Sequence, residues 1–399
     1  MNTIGLDMRG TEKGFKSHFG RGTGRYITEL VSALDKVSDS AELELVKLGS
    51  ADFVSDKIPL SLLNSVPLGK VTLETQVFIP ASLSFRDYNF VHYFAHCDAP
   101  AFGYPGKTIT VLDLIPLKFP ELYSKGKSSF RFKFARWLEN TSVKTAKGII
   151  AISEATKRDL IEILKVPAEK IIVTPLAVSD FLLGFDDRKL DRVEARKRLG
   201  LKEDSFVLSY LGGIDPRKNV KFLLDLLQGL SGSKNASKVC LLLGGSHKKD
   251  DQYPVLKERI RELGIEELVI ESGFVADEEL PDFYNASDLF LFPSLYEGFG
   301  LPVLEAMALG VPVIAGDNSS MPELSNGLKD GENGMILLPD NNLESWNRII
   351  QQLMDDPGSL KEIGAAAKKR AQEFSWRRTA ELTIDAWKSF EDCERTTER

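Results

Sequence analysis

The amino-acid sequence predicts an α/β protein made of two doubly wound domains with parallel sheets. Short apolar segments alternate with helical patterns along the whole chain, which is typical of βα units. A charge-rich stretch at 179–198 interrupts the alternation, which restarts at Phe206. The chain of 399 residues is also longer than one hydrophobic core usually supports. We therefore predict two Rossmann-like domains, at 1–178 and 200–374.

The N-terminal domain is predicted to contain six strands and three helices. The strands are apolar and short, as expected for a sheet that is covered on both faces. They lie at 3–8, 42–48, 90–94, 108–113, 148–153 and 170–174. The helices lie near 23–34, 127–146 and 154–164.

The C-terminal domain is predicted to contain six further strands. They lie at 206–211, 238–243, 268–271, 289–292, 311–315 and 335–338. The last pattern, at 375–393, is helical, because Trp376, Ala380, Thr383 and Trp387 share one face. We expect this helix to pack back on the N-terminal domain. The alternative is that it is simply the last helix of the C-terminal domain.

Composition and charge exclude several classes of protein. The formal net charge of −7 argues against a nucleic-acid partner, which normally needs a basic footprint. Three cysteines without C-x-x-C spacing suggest a reducing compartment and no zinc site. The N-terminus lacks the pattern of a signal peptide, and no apolar run approaches the ~18 residues of a spanning helix. We therefore expect a cytoplasmic protein.

The segment 293–308 carries the strongest functional signal. It follows the predicted buried strand 289–292, and open α/β sheets bind ligands at the carboxyl ends of their strands. Gly300 permits an unusual turn, and Pro302 suits the first turn of a helix. A helix that begins there presents backbone amides to an anion such as a diphosphate. These are the amides of Phe299, Gly300 and Leu301.

Two carboxylates, Glu297 and Glu305, flank this turn. A carboxylate accepts two hydrogen bonds and therefore suits the paired hydroxyls of a ribose or a hexose. The alternative is an ordinary strand–turn–helix connector with one capping and one surface glutamate.

A second phosphate cradle is predicted after the strand 206–211. Gly213 lies in a glycine pair there, and Arg217 and Lys218 supply positive charge before a helix. The alternative is a solvated basic pair. No D-x-D occurs in the chain, so we expect no metal and no cofactor, and the countercharge must come from Arg217, Lys218 and helix N-termini.

Three segments of the N-terminal domain carry further candidates. A predicted helix opens with Gly22, Gly24 and Arg25, and a long loop separates it from the first strand. A dinucleotide-binding fingerprint would follow the strand directly, so the loop argues against a nicotinamide-dependent dehydrogenase. Asp113 ends one strand, and His96 follows another. Both Asp113 and His96 lie at or just after the carboxyl ends of predicted strands, where open α/β sheets place ligands.

The segment 293–308 resembles the E-x7-E motif of retaining glycosyltransferases of family 4, which have the GT-B fold. The resemblance implies that Glu297 contacts the transferred sugar, that the amides of 299–301 contact sugar and phosphate, and that Glu305 binds the ribose. The segment 212–219 is similar to the family's G-x-x-x-x-[RK]-K element, whose basic pair holds the diphosphate.

The resemblance extends into both domains. Gly22 and Gly24 match the element whose backbone approaches the donor phosphate, and Val275 lies where relatives hold the base with backbone atoms. The segment 110–116 resembles [VI]-H-D-L-[IV]-P, but Leu112 replaces the usual histidine, so that contact with the donor sugar is absent. In this comparison Glu297, Asp113, Arg217 and Lys218 are the residues expected to support catalysis.

The resemblance implies retaining, metal-independent transfer of a hexose from a nucleotide-sugar, with a preference for UDP over GDP. The acceptor is a sugar or a lipid-linked oligosaccharide in polysaccharide biosynthesis, and the two domains face a cleft. The alternatives are a nucleotide-sugar epimerase or hydrolase of the same fold, and an inactive sugar-nucleotide-binding partner protein.

The segment Ser124 to Lys147 combines seven Lys or Arg residues with one Glu, and it carries Phe130, Phe134 and Trp137 at helical spacing. A basic, aromatic helix can lie on an anionic membrane. The interpretation we favour is that its aromatic rings pack on the sheet. Peripheral membrane contact is the alternative.

Overall fold

The structure is a computed structural model, and it describes residues 2–13, 15, 22–53, 70–103, 106–123, 130–231 and 239–397. The chain divides into two compact units. The first contains Met1–Leu176 together with Trp376–Arg399, and the second contains Ala177–Ser375.

The N-terminal unit is built on a six-stranded parallel sheet. Its strands are β1 (Asn2–Asp7), β2 (Leu43–Leu48), β3 (Phe90–Tyr93), β4 (Lys107–Val111), β5 (Gly148–Ala151) and β6 (Ile171–Val173). Their order in the sheet is β2-β1-β3-β4-β5-β6. Its longer helices are α1 (Gly22–Val37), α2 (Phe130–Lys144) and α3 (Glu154–Glu162). Short helical turns lie at Ser50–Phe53, Lys70–Leu73, Glu74–Phe78, Ile79–Leu83, Ile115–Lys118 and Pro120–Tyr123.

The C-terminal unit has a second parallel sheet of six strands. They are β7 (Phe206–Leu211), β8 (Val239–Gly244), β9 (Val269–Gly273), β10 (Leu289–Phe292), β11 (Val313–Gly316) and β12 (Met335–Leu338), in the order β12-β11-β10-β7-β8-β9. The longer helices are α4 (Arg192–Arg198), α5 (Val220–Ser231), α6 (Tyr253–Leu263), α7 (Leu301–Ala308), α8 (Leu343–Asp355) and α9 (Pro357–Ala371). Shorter helices lie at Asp180–Leu183, Leu280–Asn285 and Met321–Leu324.

The strands form where the sequence is continuously apolar. All four residues of β10 and all six of β8 are buried, as a sheet covered on both faces requires. Helix α8 has helical periodicity instead: the Asn342 side chain accepts the Ser345 amide at 3.0 Å, and Trp346, Ile350 and Leu353 are buried on one face. The predicted α/β class with two parallel sheets is confirmed, and every predicted strand boundary lies within two residues of the observed one.

The charge-rich stretch between the predicted domains is folded. Helix α4 begins where the Asp191 side chain accepts the amides of Val193 and Glu194. Arg196 is buried and donates to the Asp288 carboxylate at 2.7 Å and to the Ala286 carbonyl at 3.1 Å. These bonds attach the stretch to the C-terminal unit.

The basic segment of the N-terminal unit is helical in α2, while residues 124–129 lie outside the described part. Leu138 and Val143 are buried, but Trp137 is half exposed. Its ring lies 5.6 Å from the Phe134 ring and 5.9 Å from the ring of Phe102, which is also half exposed. The interpretation that these aromatic rings pack on the sheet is therefore wrong for Trp137. Among the described residues, no helix is both long and apolar enough to span a membrane.

The last helix, α10 (Trp376–Thr397), lies in the N-terminal unit. Trp387 is buried, with its ring centre 5.9 Å from that of Phe90, and its indole Nε1 donates to His92 Nδ1 at 3.4 Å. The Thr379 hydroxyl donates to the Pro175 carbonyl at 2.8 Å. Burial lowers the pKa of His92 to about 3, so the imidazole is neutral and accepts this hydrogen bond.

We predict that Trp387→Ala destabilises the N-terminal unit by about 3–5 kcal/mol, because it opens a cavity between α10 and β3. Trp137→Ala is the matched control and should cost less than about 1 kcal/mol, because that ring is half exposed. Urea denaturation of both variants measures the difference. Equal destabilisation by the two changes would contradict the packing of α10.

Candidate active site

Strands β7 and β10 are neighbours in the C-terminal sheet although 77 residues separate the end of one from the start of the other. From β7 the chain proceeds through β8 and β9 to one edge, then crosses to β10 on the other side. This change of direction is a topological switch point, where open α/β sheets bind ligands outside the carboxyl ends of their strands. The two loops predicted to hold phosphate follow these two strands.

The loop after β10 turns sharply into α7 at Gly300. This residue has φ +106°, and a Cβ there would lie 2.5 Å from Met321 Cε. Glycine is therefore required for the backbone conformation, while the Met321 methyl, at the end of a flexible side chain, could shift away from a Cβ. Helix α7 begins at Leu301 with Pro302 in its first turn. Phe299 is buried and packs edge to face against Phe374, with ring centres 6.1 Å apart.

Glu297, the first of the two predicted carboxylates, forms ion pairs with both predicted cations, Lys218 and Arg217. Glu297 Oε1 lies 2.7 Å from Lys218 Nζ and 2.9 Å from the Arg217 guanidinium. Arg217 also donates to the Tyr296 carbonyl at 2.6 Å, and its own carbonyl accepts the Leu295 amide at 2.9 Å. The two loops are thus joined by side-chain and backbone bonds into one cluster, which we call the ion cluster (Arg217, Lys218 and Glu297).

Burial strengthens the electrostatic interactions within the ion cluster, because little water is present to screen them. Arg217 and Glu297 are each only 8% exposed. Burial raises the pKa of the Glu297 carboxyl, but Lys218 and then Arg217 outweigh that effect and hold the pKa below its ordinary value. Glu297 is therefore ionised at neutral pH. The cluster carries one negative and two positive charges, and the excess positive charge suits an anionic ligand.

The basic pair does not lie in the helix that follows it. Pro216–Lys218 form a separate short turn, Asn219 adopts a left-handed conformation with φ 55°, and α5 begins at Val220. Gly213 is exposed, and its carbonyl accepts the Tyr210 hydroxyl at 2.6 Å.

Two serines that sequence reasoning missed hold the Glu297 loop. The Ser319 hydroxyl accepts the Glu297 amide at 3.0 Å, and Ser320 donates to the Phe299 carbonyl at 2.7 Å. Ser319 has φ +47°, a conformation that is costly for serine. No local pattern in the sequence singled out these two serines.

Glu305, the second predicted carboxylate, is buried in α7. Its Oε2 accepts the Tyr284 hydroxyl at 3.1 Å, and the same hydroxyl lies 3.1 Å from the Pro302 carbonyl. Val275 is partly buried and comes two residues after Gly273, whose carbonyl accepts the Gly245 amide at 2.8 Å. Val275 therefore lies beside the carboxyl ends of β8 and β9.

In the N-terminal unit the predicted glycines lie in the first turn of α1. The helix begins at Gly22, which is exposed, whereas Gly24 is buried. Arg25 is partly buried on the same turn. The Tyr26 hydroxyl, one residue further, lies 3.0 Å from the Thr110 hydroxyl of β4, which ties α1 to the sheet.

Asp113 and His96 both follow strands of the N-terminal sheet. Asp113 comes after β4, and its carboxylate accepts the Ile115 amide, the first amide of the next helical turn, at 3.0 Å. Leu112, which stands in place of the family histidine, is partly buried. His96 is partly buried in a short turn after β3.

Sequence reasoning also missed a buried ion pair at the switch point of the N-terminal sheet, between β1 and β3. The Arg9 guanidinium donates to both carboxylate oxygens of Asp7 at 2.8 Å and to the Asp98 carbonyl at 2.8 Å. It also lies over the rings of Phe15 and Phe53, at 4.9 and 5.2 Å. The only sequence signal was a charged pair at the end of an apolar strand.

Among the described residues, no three His, Cys, Asp or Glu side chains come together as a group that could hold a metal ion. The ion cluster, the turn at Gly300 and the start of α7 lie together in the C-terminal unit. Their charges and backbone groups can bind an anionic, hydroxyl-bearing ligand.

The chain is similar to several known proteins. Residues 191–370 match the family described as glycosyl transferases group 1. O-antigen chain mannosyltransferase B from Escherichia coli is 30% identical over 389 residues, which are 92% of this chain and 96% of that protein. The serotype-specific mannosyltransferase WbdA from Escherichia coli is 30% identical over 291 residues, which are 72% of this chain and 34% of that longer protein.

The fold has solved counterparts. Sucrose-phosphate synthase from Thermosynechococcus elongatus superposes with a TM-score of 0.72 at 19% identity, covering 98% of this chain and all of that one. At this identity the likeness concerns the fold alone, and it confirms the predicted GT-B fold. Because the match to O-antigen chain mannosyltransferase B spans nearly the full length of both proteins, the chain belongs to the group 1 glycosyltransferases.

Proposed function

We propose that the protein transfers a hexose from a nucleoside-diphosphate sugar to a saccharide or lipid-linked saccharide acceptor, with retention of configuration and without a metal ion. The observation that carries this proposal is the ion cluster at the switch point of the C-terminal sheet. It provides a buried cation (Arg217), a partly buried one (Lys218) and a carboxylate beside the start of α7. These are the groups that a leaving diphosphate and a sugar ring require.

The proposed mechanism relies on electrostatic stabilisation of the leaving group. As the bond between the anomeric carbon and the diphosphate oxygen breaks, negative charge develops on that oxygen. Arg217, Lys218 and the amides at the start of α7 stabilise this charge in a buried environment. The acceptor oxygen forms the new bond on the same face of the sugar, and its proton passes to the leaving phosphate.

Glu297 and Glu305 orient the donor in this proposal. Glu297 accepts hydrogen bonds from hexose hydroxyls and stabilises positive charge that develops on the ring. Glu305, held by Tyr284, accepts from the ribose hydroxyls. Backbone atoms near Val275 hold the base. In the N-terminal unit, Gly22 and Gly24 allow a close backbone approach to the donor, Asp113 serves the sugar or the acceptor hydroxyl, and His96 and Arg25 lie on the acceptor side.

We propose mannose as the hexose and a polysaccharide or its precursor as the product, because two relatives are named as mannosyltransferases and one of those names refers to the O-antigen chain. The preference for a uridine nucleotide remains a sequence-based prediction, and guanosine is the alternative.

The direct test is a release assay with a panel of UDP- and GDP-linked hexoses, in EDTA and in Mg²⁺. We expect nucleoside diphosphate to appear only with a saccharide acceptor, at equal rates in both buffers, and NMR of the product should show the anomeric configuration of the donor. Free hexose or an epimer without acceptor would instead indicate a hydrolase or an epimerase. Loss of turnover in EDTA would contradict metal independence.

A matched pair of variants ties this turnover to the ion cluster. Arg217→Ala should lower kcat/KM by about 100-fold, because it removes a buried donor to the leaving group. Lys221→Ala removes an exposed cation from the first turn of α5 and should leave kcat/KM within about twofold.

A second proposal concerns the surface around Trp137. Phe102 and Trp137 are half exposed and lie together, and Lys133 and Lys144 are exposed on the same helix, α2. Apolar rings beside cations suit the interface of an anionic membrane, where a lipid-linked acceptor would reside. We propose peripheral membrane contact through this surface.

Sedimentation with lipid vesicles tests this contact. The protein should bind phosphatidylcholine vesicles only when phosphatidylglycerol is included, and Trp137→Ala should weaken binding by about tenfold through lost apolar burial. The control is Phe274→Ala, which removes a still more exposed ring from the C-terminal unit. Equal binding by the Trp137 variant and the wild type would refute the proposal.

A further inference from the structure

The positive charge of the ion cluster is partly neutralised by carboxylates already in place. Glu297 Oε1 is shared by Lys218 and Arg217, so a single carboxylate oxygen contacts both cations assigned to the diphosphate. Asp215 adds a further negative group, with its Oδ1 3.6 Å from the Arg217 guanidinium. A diphosphate that binds these cations must therefore share them with carboxylates already in place.

The backbone at Glu297 is held in place, and the carboxylate itself is held by its ion pairs with Arg217 and Lys218. The Glu297 amide donates to Ser319, and the preceding residue, Tyr296, is buried and accepts from Arg217 through its carbonyl. Like charges at short distance in a buried site repel strongly, because there is little water to screen them. The carboxylate therefore opposes any anion that approaches Lys218 and Arg217.

This opposition differs between donor and product. While the sugar is attached, its hydroxyls donate hydrogen bonds to Glu297 and offset the repulsion. After transfer the sugar has left, and the product diphosphate faces the repulsion with the shared cations and the α7 amides alone to offset it. An interaction that weakens product binding more than donor binding favours product release, which limits many enzymes.

We propose that Glu297 lowers the affinity of the nucleoside diphosphate product by competing with it for Lys218 and Arg217, in addition to its role in sugar transfer. This inference rests on the proposed function of the site. It predicts opposite effects of one substitution: Glu297→Gln removes the negative charge, and it should lower transfer while it tightens binding of the product.

Isothermal titration with UDP, GDP and inorganic pyrophosphate in EDTA measures this effect. We expect Glu297→Gln to lower Kd by about tenfold, both for pyrophosphate and for whichever of the two nucleotides the wild type binds. Loss of a nearby like charge implies this gain in affinity. The affinity gain should shrink at high salt. An unchanged or higher Kd in Glu297→Gln would overturn the proposal.

A double-variant cycle tests whether the effect of Glu297 on product affinity depends on Lys218. It also gives a second comparison in case one single variant misfolds. Lys218→Met should raise Kd, and adding Glu297→Gln to it should give a smaller gain than in the wild type, because one of the two shared cations is gone. The double variant loses one charge of each sign, so its net charge equals that of the wild type. An equal gain in both backgrounds would show that Glu297 does not act through Lys218.

The failure of this inference is distinguishable from failure of the proposed function. Full transfer activity in Glu297→Gln would remove Glu297 from the mechanism. Absence of binding by UDP, GDP and pyrophosphate to the wild type would remove the donor site itself, and the inference with it. Reduced transfer with unchanged product affinity would leave the proposed function standing and refute only the competition.

Discussion

The buried pairing of Glu297 with Arg217 and Lys218 is the interaction on which the account of this protein depends. Two cations so close together in a buried site would repel each other, and the carboxylate between them makes their burial tolerable. The same pairing joins the loop after β7 to the loop after β10. The charges that hold the C-terminal site together are thus the charges that a donor diphosphate would use. Donor affinity, catalysis and product release would therefore be coupled through Glu297.

The fold provides the constraint that makes this pairing possible. Adjacent parallel strands bring their carboxyl ends together at a switch point, so residues 79 positions apart in the chain come within 2.7 Å. Two backbone features then orient the loop after β10. Gly300 permits the turn into α7, and Ser319, in a strained conformation, accepts a hydrogen bond from the Glu297 amide. The N-terminal sheet has a comparable buried pair, Asp7 and Arg9, at its own switch point.

Much of this could be predicted from the sequence because the signals are local. Continuous apolar runs predicted the strands, and Gly300 with Pro302 predicted the turn into a helix. The pairing within the ion cluster could not be predicted, because it depends on strand order and no local pattern encodes it. Nothing in the sequence indicated that Ser319 adopts positive φ, since serine rarely does so. Trp137 was assigned to the core because helical spacing reveals which residues share a face, and does not reveal whether that face is covered.

The most direct measurement is a crystal structure of the protein with a nucleoside diphosphate, grown in EDTA. We expect both phosphates within hydrogen-bonding distance of Arg217, Lys218 and the amides that open α7, with Glu297 Oε1 still in contact with at least one cation. A diphosphate bound away from the ion cluster, with the Glu297 pairs undisturbed, would contradict this expectation.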